Sequence, residues 1–391
     1  MGVFNEAKNL MKQNIREYGM YIALVVIMLT FSIATDGLFM ASRNISNLIN
    51  QTGYIAVLAV GMTLILIIRH IDLSVGFVAG FLGAVAAILL TKAGMPVWAT
   101  IVIVLAAGAL LGSFIGFLVT KMGIPSFVAT LAGMLIFRGA LLRVTSGTGT
   151  IIIPNKGFNA IGNGFIPDIA NIEGIHTLTL ILGAFAIGLY IWSELNNRKN
   201  KLTYNFEVLS KLMFAIKLLF VSLVIGYVTW ILAGYNGLSW TVVIVILVVL
   251  IYHFITNKTV LGRHIYAVGG NPEAAKLSGI NVNRITVIVF SSMSMLAALS
   301  GILFTSRLQS ATTTAGTLFE LDAIAAAYVG GVSAAGGVGK VTGSIIGAFV
   351  MASLINGMNL MGVDISYQYI IRGAVLVAAV IFDVKTRNKR A

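Results

Sequence analysis

The 391-residue chain contains no cysteine, so disulfides, thiolate metal sites and cysteine nucleophiles are excluded. Charge is nearly as scarce. Asp, Glu, Lys and Arg supply 10% of the residues, where a soluble domain carries about a quarter. So little charge cannot coat the surface of a water-soluble fold of this length. Acids are the rarer sign, 13 against 26 bases, and histidines number four. His176 and His253 fall at the ends of apolar runs without other ligands nearby, which argues against a metal site. No clustered Ser/His/Asp set or carboxylate pair supports a membrane enzyme.

What fills the chain instead is apolar: 58% hydrophobic residues and 42 glycines. Small residues let membrane helices approach closely. The first 17 residues are polar and mixed in charge (Lys8, Lys12 and Arg16 against Glu6 and Glu17), and an apolar run from Tyr18 to Thr35 follows. That run is long for a signal-peptide core and no A-x-A-like site follows it, so it is expected to be an uncleaved first span. Further spans are expected at 53–69, 75–91, 96–119, 126–142, 176–192, 213–233, 238–256, 285–305, 322–338, 341–361 and 367–383. The expected fold is an all-α polytopic membrane protein of about twelve transmembrane helices. The stretch at 322–338 is broken by Gly330, Gly331, Gly336 and Gly337, as in helices that line a cavity or pack inside protein.

Alternating sides from a cytoplasmic N-terminus puts three basic segments inside: 193–212 (Arg198, Lys199, Lys201, Lys211), 257–284 (Lys258, Arg263, Lys276, Arg284) and the tail (Lys385, Arg387, Lys389, Arg390). Lys121 also falls inside, while 143–175, with Asp168 and Glu173, falls outside. Arg43, Lys92 and Arg307 go against the bias. Both termini are then cytoplasmic. The same distribution explains the net charge of +13 without nucleic acid, since the bases sit between and beyond the apolar runs. No short-period repeat is visible.

The 257–284 segment holds the most ordered signals. Asn271 suits an N-cap, Pro272 the first helical position, Glu273 the positive end, and Gly279 the residue just past the end. This predicts a surface helix over 272–278, entered by a turn at Gly269-Gly270. On these residues alone it is either an ordinary re-entry turn or a docking element.

Glu273-Ala274-Ala275 with Gly279 resembles the E-A-A-x-x-x-G loop of binding-protein-dependent ATP-binding-cassette (ABC) permeases. Ile71-Asp72-Leu73-Ser74-Val75-Gly76 resembles the I-D-L-S-V-G signature of the ribose/xylose/galactoside permease group. Leu321-Asp322-Ala323-Ile324-Ala325-Ala326 followed by Gly330-Gly331, Gly336-Gly337 and Gly339 matches that group too. So do Tyr266-Ala267-Val268-Gly269-Gly270-Asn271 and Ser278-Gly279-Ile280. The ribose type carries about ten spans. Here an insertion near 176–236 adds about two, which resembles the xylose-transport permeases and makes a pentose the expected cargo.

The resemblance implies a non-catalytic translocation subunit, two copies of which form the pathway in the bacterial inner membrane. A separate ABC ATPase uses ATP and Mg, and a periplasmic or extracellular sugar-binding protein delivers substrate. Residues Asn271, Pro272, Glu273, Ala274, Ala275, Lys276, Ser278 and Gly279 would contact the ATPase. The whole chain would form a single permease domain, with its coupling loop at 257–284 and no cofactor of its own. Ala335-Gly336-Gly337-Val338-Gly339-Lys340 is not a phosphate loop. Position 334 is alanine where glycine is required, and Val341 replaces the Ser or Thr.

Other residues have two readings. Asp72 either caps the next span beside Ser74 or couples two spans to gating, with Gly76 and the glycines 330, 331, 336 and 337 as hinge candidates. Glu320 and Asp322 suit a helix N-terminus. Arg138 and Arg372 lie within spans, where arginines face a cavity, a partner or the interface, so with Asp322 they are candidates for the pathway or its vestibule. An ion-coupled secondary sugar transporter is the alternative reading. It would need acids near mid-membrane, and the thirteen here are expected at span ends or in loops.

Overall fold

A computed structural model describes residues 15–147, 149–170 and 174–388. Glu6, Lys8, Lys12, Glu173, Lys389 and Arg390 lie outside them. The chain is built from helices: α1 (Ile15–Ala34), a 3-10 turn at Leu38–Met40, α2 (Ser42–Ile67), α3 (Val75–Thr91), α4 (Val97–Lys121), α5 (Ser126–Thr145), α6 (Lys156–Asn163), α7 (Thr177–Thr203), α8 (Lys211–Ala233), α9 (Trp240–Lys258), α10 (Val260–Gly270), α11 (Pro272–Leu277), α12 (Val282–Leu308), α13 (Phe319–Val329), α14 (Val341–Leu360) and α15 (Ile365–Asn388). Two short strands, β1 (Thr150–Ile152) and β2 (Ser310–Thr312), pair antiparallel with Ile151 opposite Ala311. Among the described residues, nine helices are long and apolar enough to cross a bilayer, and α1 and α3 are shorter apolar helices. The chain is therefore a polytopic helical membrane protein.

The segment expected as a span at 322–338 is different. Its helix covers Phe319–Val329 and ends at a left-handed Gly331 (φ +86°), where the Gly330, Gly331 and Val332 amides close back on Ala326, Tyr328 and Ala327. Eleven residues rise about 16 Å at 1.5 Å each, half of a ~30 Å hydrocarbon core. The rest of the crossing is irregular backbone, which membranes tolerate only inside protein.

The same design occurs at the start of α3. Between α2 and α3 the chain runs through an irregular segment, 68–74, whose Arg69 and Ile71 are exposed while Asp72 and Ser74 are buried in the bundle. Ser74 rests against Gly133, about 10 Å along α5, and the His70 ring is 5.7 Å from that of Phe290 in α12. Two four-helix sets thus share one plan and run in opposite directions. In each, a long helix (α2 or α12) leads into a broken, shortened one (α3 or α13), followed by an antiparallel pair (α4–α5 or α14–α15). The two sets meet at a reciprocal contact. A Cβ on Gly76 would strike the carbonyl oxygen of Gly316, and one on Gly316 would strike that of Gly76. Inverted repeats joined at broken helices are a recurrent transporter plan.

The core lies along α2, α3 and α12, where Ala56–Val60 and Met293 are sealed from solvent. The segment expected as an insertion holds the α7–α8 hairpin. It packs mainly on itself and touches the bundle near Ile231–Ala233, which leaves long apolar faces such as Phe185, Trp192, Phe220 and Trp230 exposed to surrounding lipid.

The entry to α7 is pinned by Asp168. Its carboxylate accepts from the amides of Ile169, Thr177 and Leu178 and from the Thr177 hydroxyl at 2.7–2.9 Å. Burial raises its pKa, but these donors outweigh burial and hold the carboxyl well below the usual range. The stabilisation is present above the unfolded value of about 3.9 and is lost as pH falls through the depressed value. Asp168→Ala should speed protease cleavage between α6 and α7 at neutral pH by about tenfold, with uptake of any cargo little changed.

Candidate functional site

At the end of the bundle where α2 stops and α12 starts, one short helix stands clear. Asn271 Oδ1 accepts from the Glu273 and Ala274 amides at 3.0 and 3.1 Å, Pro272 occupies the first helical position, and Glu273 lies at the positive end. The helix covers Pro272–Leu277, one residue shorter than expected, because Ser278 is its cap and Gly279 takes the left-handed φ of +83°. The Gly279 and Ile280 amides then bond to Lys276 and Ala275 carbonyls, both at 3.0 Å. Asn281 immediately caps α12 through the Arg284 amide. Of the helix's six residues only Ala275 is buried. Glu273, Ala274 and Lys276 are exposed, and Leu277 is 90% exposed. A rigidly capped helix that shows an apolar side chain to solvent has the form of a docking element.

The paired glycines expected to make a turn do not. Gly269 and Gly270 are the last two residues of α10. Gly269 is needed for contact, since a Cβ there would strike the Ile67 carbonyl oxygen. Around it is a polar knot that sequence reasoning missed. Arg69, at a left-handed φ of +64°, donates Nε to Gly269 O at 2.6 Å and Nη2 to Gly270 O. Gly337 donates its amide to Ile67 O at 2.8 Å, and Tyr266 donates its hydroxyl to Gly339 O at 2.6 Å. Asp383 of α15 accepts from Ser333 Oγ and the Ala334 amide at 3.2 and 3.0 Å. The loop 330–340 is thereby held against α10, with Gly330 packed on Gly343 and Gly336 on the Arg69 side chain. The adjacency of Arg69 to the Ile71–Gly76 motif was the one visible signal.

Deeper in the bundle are the buried acids. The acids of the motifs lie in a loop or at a helix start, as expected: Asp72 in the segment between α2 and α3, Glu320 and Asp322 in the first turn of α13. Asp72 is fully buried, and its Oδ1 accepts from the Ser74 amide at 2.9 Å and hydroxyl at 2.6 Å. Ser74 makes no cap bond of its own, so Asp72 orients the start of α3. Glu320 is buried in the first turn of α13, beside Gly76. Asp72 Oδ2 and Glu320 Oε2 have no hydrogen-bond partner among the described residues.

Asp322 pairs with Arg372 at 3.4 Å. They border a cavity of about 410 Å³, also lined by Thr317, Leu318, Leu321 and Tyr369. The Arg372 guanidinium is 5.9 Å from the Tyr369 ring centre. Arg138 instead sits over Phe77 at 5.6 Å, on the other repeat. The sequence-selected residues thus fall at the capped helix, beside the Gly76–Gly316 contact and at the Asp322–Arg372 cavity.

The chain is similar to the xylose transport system permease protein XylH of Haemophilus influenzae, 41% identical over 96% of this chain and 98% of that protein. XylH of Escherichia coli K12 is 39% identical over 99% and 96%. The ribose import permease protein RbsC of Escherichia coli K12 is 36% identical over 93% and 92%. No solved structure matches. The profile described as "Branched-chain amino acid transport system / permease component" matches residues 44–380, from the start of α2 to within α15, and the chain belongs to that permease family.

Proposed function

We propose that this chain is the membrane-spanning permease subunit of an ABC importer that brings a monosaccharide, a pentose such as xylose, across the bacterial cytoplasmic membrane. The observation that carries the mechanism is the exposed, doubly capped helix Pro272–Leu277 at the basic end of the bundle. The full-length similarity to xylose permeases carries the cargo. In this reading the chain crosses the membrane twelve times, two of the crossings being broken, with both termini and the 257–284 loop in the cytoplasm. Two copies form the pathway. ATP and Mg belong to a separate ATPase that grips Asn271–Gly279, and a sugar-binding protein delivers substrate to the opposite face.

ATP acts by binding one conformation of this assembly better than the other. Closure of the ATPases moves the helix, and the movement reaches the broken spans at Gly76, Gly316 and the glycine loop 330–337. Asp322 and Arg372 line the route, where a weak site suits a cargo that must leave again, and Arg138 borders the vestibule. The buried Asp72 and Glu320, with the half-buried Asp322, are the observation that favours the second reading, an ion-coupled secondary sugar transporter.

Uptake of labelled xylose, ribose and galactose into proteoliposomes separates the two. With the ATPase and binding protein present, uptake is expected to require ATP, to stop with vanadate and to ignore a protonophore, with xylose preferred. Uptake by this chain alone that collapses with the protonophore would overturn the importer reading.

A further inference from the structure

We infer that Arg69 is the positioning residue through which movement of the Pro272–Leu277 helix reaches both broken spans. This rests on the reading of that helix as the ATPase contact. The helix itself has a small hold on the bundle, with Ala275 its one buried residue. Its firmer attachment is at its base. Asn271 closes α10 and opens α11, and the two carbonyls just before it, those of Gly269 and Gly270, are both taken by the Arg69 guanidinium. A cation with two parallel donors at a helix C-terminus is a stiff, oriented link, and lysine lacks that fork.

On its other side Arg69 belongs to the irregular segment that leads through Asp72 into α3. Its left-handed backbone is a strained state for a residue with a side chain, held by its surroundings. The loop after α13 is fixed to the same place. Gly337 bonds to Ile67 O, Gly336 packs on the Arg69 side chain, and Tyr266 holds Gly339. A displacement of Gly269–Gly270 therefore acts at once on the residues before α3 and on those after α13. The two broken helices in turn meet at Gly76 and Gly316. One residue thus joins the docking helix to both halves of the crossing.

The experiment measures sugar uptake and ATP hydrolysis in the same proteoliposomes, holding the full chain with its ATPase and sugar-binding protein. Arg69→Lys keeps the charge and loses the fork; Arg69→Ala loses both. Sugar moved per ATP hydrolysed is expected to fall about tenfold in Arg69→Ala and several-fold in Arg69→Lys, with the membrane content of the chain unchanged. Tyr266→Phe, which removes one bond of the same knot, is expected to give a smaller loss.

An unchanged ratio in both Arg69 variants, or uptake and hydrolysis that fall together, would overturn the inference while leaving the importer reading intact. Should Arg69→Ala fail to accumulate, Arg69→Lys with a parental ratio decides against it. ATP-independent uptake by the parent chain would instead remove the importer reading, and the inference with it.

Discussion

Sugar uptake in the Gly279→Pro variant is expected to fall by about a hundredfold, with the chain still present in the membrane. Gly279 has φ +83°, whereas proline is held near −65°, so the substitution cannot keep the end of the 272–277 helix. Proline also removes the amide that bonds to the Lys276 carbonyl at 3.0 Å. A local cost of about 3 kcal/mol corresponds to roughly a hundredfold change in the population of the native cap. The damage is confined to the docking helix, because a Cβ built on Gly279 meets nothing within 4 Å. Gly279→Ala tests that point: it has the room and bears only the left-handed penalty of about 1–2 kcal/mol, so its loss should be about tenfold. Glu273→Ala should also uncouple transport. Normal uptake by both Glu273→Ala and Gly279→Pro would show that this helix is not the ATPase contact.

The second large effect concerns folding. Gly316→Val should lower the stability of the detergent-solubilised protein by about 4 kcal/mol and leave little folded material. Its φ of +87° disfavours any side chain, and the new one would also strike the backbone of Gly76, which cannot swing aside. Gly37→Val is the control. Gly37 has nearly the same φ, +82°, but open space around it, so it bears the backbone cost of about 1–2 kcal/mol alone. The midpoint of heat-induced aggregation, followed by size-exclusion fluorescence, compares the two. Equal losses would mean that the crossing of the two broken spans is not tightly packed.

Hydropathy located most of the helices because lipid imposes an apolar run on any span. The expected 75–91 coincides with α3, and 341–361 ends one residue past α14. It failed where the helix continues through polar residues. α2 begins at Ser42, well before the expected 53, and α7 runs on through Arg198 and Lys199 to Thr203. Polar residues at a helix end read as loop on an apolar scale, although the backbone bonds continue. It failed in the opposite sense at 322–338, where the helix ends at Val329 and the second half of the stretch is not helical. Apolar composition reports burial in lipid or protein, and glycine-rich backbone inside protein satisfies it without being a helix.

The inverted repeat left no trace in the residues. The first turns of α3 and α13 carry different residues, Val75-Gly76-Phe77-Val78 against Phe319-Glu320-Leu321-Asp322, since the two helices face different neighbours. The Arg69 knot was hidden for a related reason. Its partners are carbonyls of Gly269 and Gly270, and a carbonyl has the same chemistry whatever the residue.

The amino-acid sequence by itself determined that this chain lives in a membrane, that its bases collect at one end of the bundle, and that a capped helix follows Asn271. Each follows from local rules: apolar length, charge placement and the geometry of caps. Only the tertiary structure decided that Asp72 and Glu320 are buried, that Asp322 pairs with Arg372, that Gly76 and Gly316 meet, and that Arg69 holds the base of the docking helix. Those contacts join residues some 50 to 250 positions apart. Burial and backbone bonds at such separations depend on how the helices pack, and no local pattern encodes that.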